Sequence, residues 1–406
     1  MSKPRIAPVW LTGLSMSPFG FYGGISFYAV PQLLAARHIP EERIAGLSGL
    51  LILPSVLCFL IAPILDIRFS RRFYASICCA LGTAALVAAI FNQASFGLFG
   101  VLMFAGSSFM ALFGAALGGW FASVIPNDRQ PMLSSWLNVA NIGAGGLMAF
   151  LSVRLIRSFS LPVAAAILAC MVMLPIVIFP FVPAQGPDRR LARESFSGLL
   201  RAIASLFRRG EVILVLLLFA LPSSSFTLTN ILGGLGGDFH TPESTVSLIN
   251  GVGVTIAGIL ASLLGGPLCK HLPLRRLYLA VGIVGGFFTL SLLLLPHNPV
   301  AFTVATLGQN AFQALAFTVC VALALRTVGH GNALAATEYS ILLGAANLPL
   351  VYMQFIDSHA YTLRGLPGAF TMDAGVSIVV CVGLLGLLAW LRNRMPGSAK
   401  TAVNPI

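Results

Sequence analysis

The chain has 406 residues, of which 57% are hydrophobic and only 9% charged, with a formal net charge of +12. About a quarter of a soluble domain is charged, so this composition excludes a water-soluble globule and puts the chain in a bilayer. The basic residues are dealt out singly and in pairs between apolar runs, a pattern that sets membrane topology and argues against a nucleic-acid-binding face.

A spanning helix needs roughly 20 apolar residues. Twelve such runs can be read, at 9–34, 44–65, 73–92, 96–125, 131–153, 161–183, 212–236, 244–269, 277–296, 299–326, 332–355 and 369–391. The first is too long for the apolar region of a signal peptide and reads as a membrane helix. It carries Pro18, Gly20, Gly23, Gly24 and Pro31, which predict an interrupted helix, and the polar groups Tyr22, Tyr28 and Gln32.

Between the second and third spans lies a short basic turn, with Asp66, Arg71 and Arg72. A pairing of Asp66 with either Arg, or with the other half of the chain, would make a gate. The alternative is that the Arg residues only fix topology. The fourth and fifth spans are Gly-rich at Gly114, Gly118, Gly119, Gly143, Gly145 and Gly146, which suits close helix packing. The fifth also carries Asn138 and Asn141, an i, i+3 pair.

The longest polar stretch, 184–211, falls at the middle of the chain. Phe196, Leu199, Leu200, Ile203, Leu206 and Phe207 recur at helical spacing among Arg193, Arg201, Arg208 and Arg209. This predicts a linker containing an amphipathic helix that rests on lipid. The domain division that follows is 1–183, a linker at 184–211, and 212–406. The seventh span has Pro222, a polar run ending at Asn230, and a Gly-rich stretch at 233–237.

The basic turn then returns. Pro63, Arg71, Arg72 and Tyr74 recur as Pro267, Arg275, Arg276 and Tyr278, at a constant offset of 204 residues. The second turn joins the eighth and ninth spans, the equivalent place in the second half. The tenth span carries Gln309 and Gln313 on one face with Asn310 beside them. The eleventh carries Glu338 and the twelfth Asp373, while Asp357 reads as a loop residue between them.

Sidedness follows from the Lys and Arg residues. With a cytoplasmic N-terminus, nineteen of the twenty-four fall on the cytoplasmic side. Both termini are then expected in the cytoplasm, with the chain in the plasma membrane, the inner membrane of a bacterium. The expected fold is an all-α membrane protein, twelve transmembrane helices in two pseudo-symmetric six-helix bundles. That parallel repeat is the mark of the major facilitator fold.

Two stretches carry a family resemblance. LDIRFSRR resembles the loop signature of the major facilitator superfamily, although Ala62 and Phe69 stand where Gly is usual and Lys270 replaces the acid in the second copy. LAATEYSILLGAANLPL resembles a stretch of the AmpG-like muropeptide permeases, of the peptide–acetyl-coenzyme A–drug transporter group, with Glu338 in place of Gln. GFYGGISFYAVPQLL is similar in style to that group's first helix. The resemblance implies a secondary transporter driven by protons.

The functional expectation is a proton-coupled permease importing a muropeptide-like or other amphiphilic polar solute by alternating access. Glu338 is the candidate proton-coupling acid, because a carboxylate inside a span needs a partner, water or a proton. Tyr22, Tyr28, Gln32, Asn138, Asn141, Asn230, Gln309, Asn310 and Gln313 are the candidate substrate-cavity residues, with helix-to-helix bonding as the alternative for each. Asp66, Arg71, Arg72, Arg275 and Arg276 are the candidate gate.

A siderophore or an acyl-coenzyme A type solute is the alternative substrate. The lack of Lys or Arg at mid-span weighs against the latter. A polytopic membrane enzyme or a transporter-like sensor is the alternative from another class. The six His are scattered over loops, no nucleotide-binding motif occurs, and the seven Cys match no zinc spacing. No catalytic group, metal or cofactor is therefore expected. The partners are a small-molecule substrate, protons and membrane lipid, with the chain acting as a monomer.

Overall fold

The computed structural model describes residues 7–183, 201 and 203–394. Most of the amphipathic linker, 184–200, and both termini lie outside the described residues. Every regular element among the described residues is helical. Among the described residues nine helices are long and apolar enough to cross a membrane, and the last of these is two spans joined across Gly365. Large apolar side chains stand fully out on helix surfaces, among them Leu294 at 86% exposure and Phe355 at 74%. Such faces are stable against lipid and would not be against water.

The chain divides into two units. The first holds residues 1–204 and also Val328–Gly344, a segment that comes from late in the sequence; the second holds Ser205–Thr327 and 345–406.

In the first unit the opening span is broken, as its Pro and Gly residues predict. It runs as α1 (Val9–Leu14), α2 (Ser17–Gly24), a π-turn (Ile25–Ala29) and α3 (Val30–Ala35). Pro18 and Pro31 each lack an N–H to donate to the preceding turn, and a widened turn relieves the ring's clash with the carbonyl four residues back. α4 (Glu41–Leu57) gives way to two 3₁₀ turns, Cys58–Leu60 and Ala62–Asp66. Then follow α5 (Arg71–Phe91), α6 (Phe96–Val124), α7 (Gln130–Ser158) and α8 (Leu161–Met173), the last continued by a 3₁₀ stretch to Phe181. Small residues bring these helices together. A methyl group at Gly20 would strike the backbone of Asn141, and one at Gly24 the backbone of Gly145. Backbone-to-backbone approach of this kind holds spans where lipid supplies no hydrophobic drive.

In the second unit α9 (Gly210–Ala220) stops just before Pro222, and helix resumes only as the single turn α10 (Thr229–Leu232). The first and seventh spans are thus both interrupted. After them come α11 (Glu243–Leu248), a π-turn (Ile249–Gly253), α12 (Val254–His271), α13 (Leu274–Ser291) and α14 (Pro299–Val328). The final element, α15 (Ala335–Arg394), folds back on itself at Gly365, whose φ of 62° is a left-handed conformation that suits glycine. Helix continues past 355, where the hydropathy of the eleventh span fades. Asp357 is therefore a fully buried helical residue and not a loop residue.

Candidate functional site

The basic turn that the sequence repeats holds a dense polar cluster in the first unit. Pro63 opens the 3₁₀ turn that ends at Asp66, Ile67 is extended, and Arg68 takes a left-handed φ of 66°. Ser70 caps α5 by accepting a bond from the Phe73 N–H. Asp66 and Arg71 are thereby set side by side, with Arg71 Nε donating to Asp66 Oδ1 at 2.7 Å.

The carboxylate of Asp66 does more than pair. It accepts the backbone N–H of Ala336 at 3.1 Å, that of Thr337 at 2.8 Å, and the Thr337 hydroxyl at 2.7 Å. Residues 336 and 337 sit in the first turn of α15, whose N–H groups have no partner within their own helix. A carboxylate there satisfies them and meets the positive end of the helix dipole. Arg71 holds the approach to the same helix by donating to the Asn332 carbonyl at 3.1 Å and the Ala333 carbonyl at 2.8 Å. It also reaches the Ser123 hydroxyl on α6 at 3.1 Å. One acid and one guanidinium thus clasp both sides of a single bend in the chain.

Glu338 stands one residue beyond the clasp and is fully buried. Its Oε2 accepts a bond from Asn332 Nδ2 at 2.7 Å, and Asn332 Oδ1 accepts the Leu334 N–H at 2.9 Å. His330 Nδ1 meets the Ala122 carbonyl at 2.9 Å. Gly118 and Gly119 on α6 make room for all of this. A methyl at Gly119 would overlap the backbone of Ala336, and one at Gly118 the ring of Tyr339.

The second copy of the turn is built differently. Lys270 stands where Asp66 would be, so Arg275 finds its acid at the start of α9 and donates to Glu211 at 2.8 Å. Arg72 is partly buried and Arg276 exposed, and neither forms an ion pair among the described residues.

The other polar residues fall into two groups. Tyr22 is buried and its hydroxyl donates to the Met103 carbonyl at 2.7 Å, which ties α2 to α6. Gln309 is buried and donates to the Thr289 hydroxyl, tying α14 to α13. Asn138 is buried and Asn141 half-buried on α7. In contrast Tyr28, Gln32 and Asn230 are exposed. An amide left open on a spanning helix is far cheaper facing water than hydrocarbon. Gln313 is half-buried and donates to the Thr229 hydroxyl at 2.9 Å, beside Asn230. Asn310 is half-buried and turns back to its own helix at the Thr306 carbonyl. Phe312 stacks on Phe226 and leans on Phe288, giving this patch of the second unit an aromatic floor. Among the described residues no group of three metal-ligating side chains occurs.

Nearly the whole chain superposes on solved membrane transporters. FucP, a crystal structure in the outward conformation, matches with a TM-score of 0.71 at 14% identity, over 94% of this chain and 99% of that one. The proton:xylose symporter XylE matches at 0.67 and 14% identity, over 93% and 95%. The human organic anion transporter MFSD10 (TETRAN) matches at 0.67 and 16% identity, over 94% and 100%. The chain has the major facilitator fold. No protein-family model matches the sequence, and no curated protein aligns with it. Within the major facilitator fold the clasp of Asp66 and Arg71 lies on the turn between the second and third spans, and the aromatic patch lies on the seventh, ninth and tenth.

Proposed function

We propose that this protein is a proton-coupled secondary transporter working by alternating access, with the Asp66–Arg71 clasp as its gate. The observation that carries the reading is the way the clasp is made. Val328–Gly344 packs in the first unit, yet both its neighbours in sequence, α14 and the rest of α15, belong to the second. The segment is covalently continuous with the second unit at both ends, which suits the clasp to sense a movement of that unit. Its bonds, an ion pair and donors to carbonyl and carboxylate oxygens, can break and reform without chemical change. The interruptions in the first and seventh spans support a binding site near those helices. Glu338, beside the clasp, is suited to link proton occupancy to gate opening. Protonation of Glu338 would weaken its charge-assisted bond from Asn332, whose carbonyl holds Arg71.

The substrate that the exposed groups support is amphiphilic, uncharged at its core and rich in hydrogen-bonding groups, as a muropeptide is. Import across the bacterial inner membrane, with both termini in the cytoplasm, fits the distribution of Lys and Arg. A ligand-stabilisation screen of the purified protein tests this. Muropeptides should raise the melting temperature, and acyl-coenzyme A esters should not. Stabilisation by the coenzyme A esters alone would overturn the substrate class. Glu338→Gln should keep expression and binding but weaken uptake driven by a pH gradient. Unchanged proton-driven uptake would reduce Glu338 to scaffolding.

A further inference from the structure

The second unit buries two further acids that the gate does not use. Asp357 lies eight residues before the Gly365 turn of α15 and Asp373 eight residues after it. An antiparallel hairpin with that turn at its tip brings the two positions level, about 12 Å from the tip at 1.5 Å of rise per residue. The arms approach closely, since a methyl at Gly368 would strike the Ala360 carbonyl. The two carboxyls face each other within reach of a shared hydrogen bond. Asp357 is 0% exposed and Asp373 4%. Among the described residues no donor bonds to either carboxylate oxygen of Asp357.

This arrangement lacks what an ionised pair needs. Ionised carboxylates only accept hydrogen bonds, so neither acid can satisfy the other. Two buried like charges side by side repel and also lose hydration. Among the described residues no cation pairs with them. Arg364 and His359, on the same hairpin, are exposed. Tyr361 donates instead to Asp238, at 2.7 Å. Of the titratable groups on neighbouring elements, His240 is exposed, and His297 is exposed and lies edge-on to Phe239. A single hydrogen placed between the carboxyls supplies the missing donor and cancels one charge.

We propose that Asp357 and Asp373 form a proton-binding site that holds one shared proton, separate from Glu338 and in the other unit. A metal cation is the poorer occupant, because two carboxylates alone supply too few oxygens for Na⁺ or Ca²⁺. Asp373, with its small remaining exposure, is the side from which the proton enters. The site stands on the hairpin geometry and does not depend on the transport reading.

Infrared spectroscopy of the purified full-length protein across a pH titration tests the proposal. The wild type should show the carbonyl stretch of a protonated, buried carboxyl that persists well above the pH at which free carboxylic acids ionise. In a Glu338→Gln background, which removes the buried acid beside the clasp, Asp357→Asn and Asp373→Asn should each abolish that band. An amide can donate to the remaining carboxylate, so both variants should fold. Their melting temperature should not depend on pH where that of the wild type falls as the shared proton is lost. A band that survives in both variants would overturn the assignment. So would a wild type with no such band, or one whose stability rises with Na⁺ at fixed pH. If either variant fails to fold, the titration of Glu338→Gln alone, where a persisting band can come only from the Asp357–Asp373 pair, and the Na⁺ series decide the matter.

Discussion

Replacing Asp66 by Ala should free the first turn of α15. The substitution removes the acceptor of four bonds: from Arg71 Nε, from the Ala336 and Thr337 N–H groups, and from the Thr337 hydroxyl. Arg71 keeps its bonds to Ser123, Asn332 and Ala333 but loses its counter-charge. Breaking one partner of a buried ion pair costs about 3–5 kcal/mol. Asp66 is buried and the side chain of Arg71 is 10% exposed, so the estimate needs little discount for solvent. At about 1.4 kcal/mol per tenfold, the opening equilibrium of the clasp should shift by roughly 10²- to 4 × 10³-fold. Amide hydrogen exchange reads this directly, because Asp66 is what protects the N–H groups of Ala336 and Thr337. Peptides that cover 330–344 should exchange faster by that factor, while peptides from α7 should not change. If 336 and 337 stay as protected in the variant as in the wild type, the carboxylate does not hold the helix and the reasoning fails.

Other substitutions should separate the clasp from simpler packing. Arg71→Lys keeps the charge but not the planar fork that reaches four oxygens, so it should loosen the same peptides by about 1–3 kcal/mol, seen as faster exchange at 330–344. Gly119→Ala puts a methyl into the backbone of Ala336 and should lower the melting temperature by an amount equivalent to about 1–3 kcal/mol. Gly383→Ala, where nothing lies within 4 Å, is its neutral control. Glu211→Gln should change stability by less than about 1 kcal/mol, since the Glu211 side chain is 44% exposed and water screens the bond to Arg275. Gln309→Leu should cost roughly 0.6 kcal/mol, the average for a polar bond between membrane helices. It should leave ligand stabilisation unchanged, because that side chain is spent on Thr289.

Much of the fold can be read in the sequence because hydropathy and Pro act locally. Pro31 and Pro222 interrupt their helices where they stand, by removing a donor and crowding the turn before them. The duplicated basic turn likewise led to the clasp, since an acid and two Arg residues on one tight turn have few partners but each other. What receives the clasp could not be read. The groups at 336 and 337 are mainly backbone N–H, which every residue but Pro carries, so no side-chain pattern marks them. Residue type alone also could not say which polar groups face water. Tyr22 and Gln32 look equally suited to a cavity, but the first spends its hydroxyl on a carbonyl of α6 and the second stands open. Asp357 escaped for another reason. Ser358, His359, Thr362 and Arg364 around it are exposed and mimic a loop, although the helix carries them to the Gly365 turn and turns Asp357 inward.

Solute transport driven by protons is the proposed role of this chain. Uptake into proteoliposomes, measured with the solute that stabilises the purified protein, tests this most directly. Solute should accumulate when an inward proton gradient is imposed, the accumulation should collapse with a protonophore, and Glu338→Gln should weaken it. Accumulation no greater than in protein-free vesicles would contradict it, and so would uptake indifferent to the gradient.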